Sequence, residues 1–239
     1  MPEDVLQVII NSNQRGGRML SLVDLIEADT LTIGMAARLT ELIEAGSSLL
    51  VGAVPGGAGK TAVMGALLTM LPAAEPVHVT RDASRARGPH PGSGSSWRTA
   101  GAGECIVAYE ISPASFEAYI WGQALREFVE RGLEGARLVS NLHADTLEQA
   151  HDQLVEDNGV PAEHFNTFDL FVPIRVDGGV GRRTRVVEYV DYRDGESWTR
   201  ISREPKLSPR AQEISAFFQD CLAEGTRRIE AVRNAWLAP

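Results

Sequence analysis

The sequence predicts an α/β domain built on a mainly parallel sheet and extended at its C-terminal end by antiparallel hairpins and helices. Three observations carry this reading. Between residues 49 and 176, short apolar runs of the kind buried on both faces alternate with stretches of helical spacing. The first of these runs, Leu49-Leu50-Val51-Gly52-Ala53-Val54, passes through a glycine-rich turn into a helix. Beyond residue 176, Asp177-Gly178-Gly179 and Asp194-Gly195 are hairpin signals between β-rich stretches.

Taken in order, residues 5–10 (Val-Leu-Gln-Val-Ile-Ile) read as a short strand, and residues 20–26 and 33–45 as helices. In the second helix Met35, Leu39, Leu42 and Ile43 form one apolar stripe, and Gly46 ends it. A strand over 49–54 is followed by a helix over 61–71, stopped by Pro72. Residues 77–80 and 105–109 read as strands, separated by a polar stretch at 82–103 that has no periodicity. Helices are expected over 113–131, with Pro113 in the first turn, and over 146–156. Strands are expected over 137–142 and 170–176. Ser208-Pro209 starts a helix bearing Ile214, Phe217, Phe218, Cys221 and Leu222, and a last helix carries Ile229, Val232 and Trp236. The expected division is a core with its lead-in over 1–176 and a β-hairpin and helical extension over 177–239, within one globule.

Composition narrows the function classes. With 239 residues, 44% of them hydrophobic, the chain can bury a proper core. A net charge of −9 argues against direct nucleic-acid binding, which wants a basic face. The basic residues are nearly all arginine, and the only lysines are Lys60 and Lys206. Cys105 and Cys221 have no metal-like spacing, and Cys105 reads as a buried free thiol. The start is acidic and no apolar stretch approaches the roughly 20 residues of a membrane span, so a cytoplasmic location without a transmembrane segment is expected.

The chemistry-bearing residues fall at strand ends. In Pro55-Gly56-Gly57-Ala58-Gly59-Lys60-Thr61-Ala62 the glycines allow backbone N–H groups to curl around phosphate oxygens at the positive end of a new helix. Lys60 would reach the β- and γ-phosphates of ATP, and the Thr61 hydroxyl would hold Mg²⁺. Val54 stands where the GxxxxGK[ST] pattern has its first glycine, at a strand end where a Cβ is tolerable. In Glu104-Cys105-Ile106-Val107-Ala108-Tyr109-Glu110 an apolar strand carries a carboxylate at each end. Glu110, at the C-terminal tip where open α/β sheets place ligands, is the candidate to activate water, and Glu104 the candidate metal-side helper. His143, in Ser140-Asn141-Leu142-His143-Ala144-Asp145-Thr146, either senses a γ-phosphate or is structural, and Asp145 or Thr146 caps the next helix.

The order of these pieces resembles the ATPase superfamily that powers type II and type IV secretion and type IV pili. Residues 21–26, Met35-Ala36-Ala37-Arg38-Leu39 and Ala45-Gly46 resemble that family's lead-in to its Walker A motif. Glu104 and Glu110 resemble the acid pair of its Walker B, and the stretch from Leu142 through His151 and Leu154 resembles its His box. The resemblance implies a reduced RecA-like P-loop domain that binds Mg²⁺-ATP and hydrolyses it. It implies a homo-oligomer, in the family a hexamer, working with secretion or pilus components at the cytoplasmic membrane face. Glu110 and His143 are its implied catalytic residues. The pattern departs from the family's at several points. The chain has no room for the N-terminal domain that supplies arginines to the site, Tyr109 replaces the glycine before the catalytic Glu, and Gln153 replaces an arginine. Slow hydrolysis by the chain alone is therefore expected. Arg81, Arg85, Arg87 and Arg98 are either substitute phosphate partners or part of a solvated loop. The other reading is a nucleotide-binding regulator with little turnover.

Overall fold

Four fully buried strands make the centre of the molecule: β1 (Leu49–Gly52), β3 (Cys105–Ile111), β5 (Arg137–Leu142) and β6 (Leu170–Pro173). The computed structural model describes residues 2–13, 16–81, 96–178 and 183–238. With β2 (Val77–Val79), these strands lie parallel in the order β6-β1-β5-β3-β2. Val51 stands opposite Asn141 on one side and Val172 on the other. Antiparallel β9 (Tyr189–Asp194) and β10 (Ser197–Ser202) extend the sheet beyond β6, with Gly195 and Glu196 as the turn between them. A separate hairpin, β7 (Arg175–Asp177) and β8 (Thr184–Val186), leaves the end of β6. The α/β class with a mainly parallel sheet and C-terminal antiparallel additions is thus the observed one.

Strand periodicity distributes the core to two faces. Val51, Val107, Val139 and Val172 face one cluster, and Leu50, Ile106, Leu138 and Phe171 the other. The first face is covered by α1 (Val5–Ser12), α2 (Leu22–Glu27), α3 (Ile33–Glu44), α4 (Lys60–Leu68), α7 (Pro209–Glu224) and α8 (Ile229–Trp236). The second is covered by α5 (Gln123–Leu133), α6 (Leu147–Val155) and the aromatic group Trp97, Phe165 and Phe168. The C-terminal residues share this core: α7 packs on α3, and the Ser208 hydroxyl, which caps α7, also donates to Glu41. Both cysteines are buried free thiols, and burial pushes the Cys105 thiol up.

The strand expected over 170–176 is split, residues 170–173 staying in the main sheet as β6 and 175–177 joining the separate hairpin as β7. Two further elements differ from the sequence expectation. Residues 5–10 form a helix, not a strand. The Asp4 side chain accepts from Gln7 N at 3.0 Å as an N-cap, and the buried Val5, Val8, Ile9 and Ser12 recur with helical spacing. Packing overrides the β-branched composition, because α1 lies so close to α4 that a Cβ on Gly65 would come within 2.9 Å of Ile9 Cγ2. The second difference is the late start of α5, ten residues beyond the expected onset at residue 113. The intervening chain first runs beside β3 as β4 (Tyr119–Ile120). Strand β3 outlasts its three-residue neighbour β2, and the carbonyls of Ala118 and Ile120 accept from Tyr109 N and Ser112 N, which β2 does not reach. Most of the polar stretch at 82–103 lies outside the described residues, as does Gly179; residues 96–99 form a 3₁₀ turn that buries Trp97.

The end of β1 is tightly constrained. A Cβ on Gly52 would lie 2.3 Å from the Ala144 carbonyl oxygen and 2.6 Å from the Phe171 ring. Gly52→Ala is expected to cost about 3 kcal/mol in urea denaturation, the upper part of the range for overpacking against an unyielding neighbour. A loss under about 0.5 kcal/mol would show that the crossing backbone can move aside.

Candidate active site

The candidate phosphate cradle is the turn between β1 and α4. Gly57 (φ 77°) and Gly59 (φ 96°) occupy left-handed backbone, which explains glycine at both positions. Ala58 is buried, and its N–H donates to the Pro55 carbonyl at 3.3 Å to close the turn, while Val54, Pro55 and Gly56 face outward. Gly59 is the N-cap of α4 and supplies no side-chain cap, so the first-turn N–H groups at Lys60, Thr61 and Ala62 point along the dipole toward the turn. Val54, in place of the motif's first glycine, keeps its side chain 49% exposed, so its Cβ meets no obstacle.

Three side chains from different elements meet beside this turn at the carboxyl edge of the sheet. Lys60 is buried, with Nζ 3.2 Å from the Ala53 carbonyl oxygen, 3.5 Å from His143 Nδ1 and 4.0 Å from Glu110 Oε2. His143 Nε2 lies 2.6 Å from Glu110 Oε1, and the Tyr119 hydroxyl donates to Glu110 Oε2 at 3.4 Å. A carboxylate only accepts, so His143 carries a proton on Nε2. Nδ1 then faces both a donor, Lys60 Nζ, and an acceptor, the Val54 carbonyl oxygen at 3.2 Å. Neutral imidazole suits the lysine, and imidazolium suits the carbonyl.

Glu110 reaches this cluster because β3 is irregular. The register against β5 shifts between Ala108, opposite Ser140, and Ile111, opposite Leu142, so three steps on β3 match two on β5. Tyr109 packs with Val107 on one face, and Ile111 packs with Ala108 on the other. Glu110 is left out of both cores. In a regular strand it would share the apolar face of Ile106 and Ala108. The buried Asn141 amide donates to the Tyr109 carbonyl at 2.8 Å and steadies the bulge, while Gln153 Nε2 donates to the Ile111 carbonyl at 3.1 Å.

The remaining candidates sort clearly. Thr61 sits in the first turn of α4, half-buried beside Lys60. Glu104 is not at the site: it lies at the opposite end of β3, about 20 Å away at the rise of an extended strand. There it accepts from Gly101 N at 2.9 Å and pairs with His78 Nε2 at 3.1 Å, and those two partners hold its carboxyl below the usual range. It is therefore no metal-side helper for Lys60 and Thr61. Arg81 is tied to Glu3, Glu117 and the Tyr109 hydroxyl, and Arg98 to Glu127, so neither is a phosphate partner here. Arg85 and Arg87 lie outside the described residues.

Sequence reasoning did not single out three contacts. Thr146 is the cap of α6, accepting from Gln149 N, and this leaves Asp145 Oδ1 to accept from Val54 N at 2.8 Å. Tyr119 reaches Glu110 from β4. Arg185 on β8 donates through Nη2 to the Gly57 carbonyl at 3.2 Å. The polar Asp145, two residues after His143, was the one local signal; the other two contacts are made by the fold.

No protein-family model and no curated protein sequence matches the chain. Solved structures similar in fold include the VirB11 ATPase of the Brucella suis type IV secretion system, determined in complex with sulphate. It matches at 18% identity and a TM-score of 0.45 over 72% of this chain and 54% of that one. The Legionella pneumophila ATPase DotB matches at 14% identity and a TM-score of 0.47 over 78% of this chain and 55% of that one. The chain thus spans about half the length of the solved structures it resembles.

Proposed function

We propose that this chain binds Mg²⁺-ATP in the β1–α4 turn and hydrolyses it to ADP and phosphate, as a P-loop ATPase of the secretion-ATPase type. The observation that carries the reading is the meeting of Lys60, Glu110 and His143 beside a glycine turn at the open N-terminus of α4. A triphosphate fits the donor set: backbone N–H groups, one buried ammonium and the Thr61 hydroxyl all present positive charge or protons to a polyanion. The Thr61 hydroxyl would hold Mg²⁺ there, and the ion would supply charge neutralisation to the phosphates.

The residues then act in sequence. Lys60 leaves the Ala53 carbonyl and turns to the phosphates, which are far stronger acceptors than a neutral amide oxygen. Glu110 loses its ammonium neighbour and becomes the acceptor for a water proton. His143 lies between the two and holds the carboxylate at one oxygen while facing the lysine with its other nitrogen. That same hold favours a second reading, a nucleotide-binding regulator with little turnover. Both oxygens of Glu110 already have partners, and Arg81 and Arg98 are engaged elsewhere, so the transition state lacks a guanidinium from either. In the first reading the chain works as a homo-oligomer with secretion or pilus components at the cytoplasmic face of a membrane; the motif order in the sequence supports this. No helix among the described residues is long and apolar enough to cross a membrane.

Lys60→Ala is expected to weaken Mg²⁺-ATP affinity by about a hundredfold in calorimetry, since a charge-assisted hydrogen bond and the local positive potential are both lost. Far-UV circular dichroism should be unchanged. An unaltered affinity would remove the phosphate-cradle reading. Glu110→Gln should bind ATP as the parent does and lose turnover by about 10²–10⁴, the usual worth of a positioned base. Equal turnover in parent and Glu110→Gln would place the base elsewhere, and undetectable turnover with intact binding in the parent would select the regulator.

A further inference from the structure

We propose that Arg185 is a phosphate-contacting residue of this same nucleotide site, supplied in cis by the β7–β8 hairpin. The proposal rests on the nucleotide reading above. The hairpin is anchored at both of its ends, at the first of them beside the cradle. Before β7, the buried Ile174 donates its N–H to the Gly52 carbonyl at 2.8 Å, at the last residue of β1. After β8, the buried Val187 donates its N–H to the Thr30 carbonyl at 2.9 Å. This follows from topology: β6 runs parallel to β1, so the chain leaving β6 emerges at the edge where the glycine turn lies.

Between these anchors Arg185 lies across the turn. Its Nη2 donates to the Gly57 carbonyl oxygen at 3.2 Å, and a Cβ on Gly59 would come within 3.1 Å of its Cδ. Among the described residues no carboxylate pairs with Arg185, whereas Arg175 on the facing strand is held by Asp177 and Glu188. An exposed guanidinium whose partner among the described residues is a neutral carbonyl, beside a glycine turn at a helix N-terminus, gains a better partner when a triphosphate arrives. Phosphoryl transfer concentrates negative charge on the phosphate oxygens, and a planar, permanently charged fork is suited to neutralise it. Arg185 thereby takes the part for which Arg81 and Arg98 are unavailable through their own ion pairs.

A charge series at position 185 tests this, with Mg²⁺-ATP affinity read by calorimetry and turnover by phosphate release. If the guanidinium touches phosphate, affinity falls stepwise from the parent through Arg185→Lys and Arg185→Gln to Arg185→Glu. The glutamine variant should be about tenfold weaker and the glutamate variant about a hundredfold, as expected for loss and then reversal of a charge at hydrogen-bonding distance. Glutamine keeps a donor for the Gly57 carbonyl, so a merely structural role would leave that variant near the parent. Affinities within twofold of the parent across the series overturn the proposal, and so does an equal loss in all three variants irrespective of charge. A parent with no ATP affinity overturns the nucleotide reading itself, a result distinct from either.

Discussion

The β5–α6 connection crosses the end of β1 so closely that no Cβ fits at Gly52, and the site is assembled around that crossing. At this one place Asp145 takes the Val54 N–H, His143 faces the Val54 carbonyl, and Ala53 N donates to the Leu142 carbonyl. The first residues of the glycine turn are therefore fixed from the neighbouring strand. Strand order does the rest. With β5 lying between β1 and β3, the histidine at its tip is positioned to touch both the lysine that follows β1 and the carboxylate at the end of β3. Reach between non-adjacent strands is achieved by one intervening imidazole.

Such a cluster is costly to hold. Lys60 and Glu110 are nearly buried, and charges removed from water are offset only by good partners. The lysine has a carbonyl, an imidazole and a carboxylate at distances of 3.2–4.0 Å, none of them an ideal charged pair. The arrangement is adequate for folding and leaves room for improvement by an anion, which is the condition for a ligand to reorganise it. Elsewhere the arginines are largely committed: Arg137 is buried with Glu75 and the Ile43 carbonyl, Arg203 is bound to Asp29, and Arg210 is bound to Glu44. These contacts join distant segments and are better read as architecture.

Much of the fold was legible because the central strands are apolar on both faces and lie between turn residues, as in residues 137–142, where expectation and structure coincide. The glycine turn and the strand-tip positions of Glu110 and His143 were legible because each is announced locally, by glycines or by a polar residue at a strand tip. What failed was non-local. The β-branched run at 5–10 became a helix because Gly65 offers it a close berth on α4. Residues 113–122 did not become helix because the unsatisfied edge of β3 claimed part of them. Glu104 was grouped with Glu110 by its resemblance to an acid pair, although the five intervening residues of extended chain hold the two at opposite ends of a strand. Arg185 carries no sequence signal, since its proximity to Gly57 spans more than a hundred residues and depends on where β6 lies in the sheet.

The bulge in β3 has a genetic corollary. The side-chain parity of that strand is governed by how many residues it contains, and the surplus residue is Glu110 itself. Excise it, and Tyr109 and Ile111 keep the faces they already occupy, now in unbroken alternation. Such a frame-preserving deletion would heal the ladder and erase the carboxylate in one step. The resulting protein would keep the pairing of its central strands and lose whatever depends on an acid at that tip. Homologues one codon shorter in this strand would keep the scaffold and lack the carboxylate.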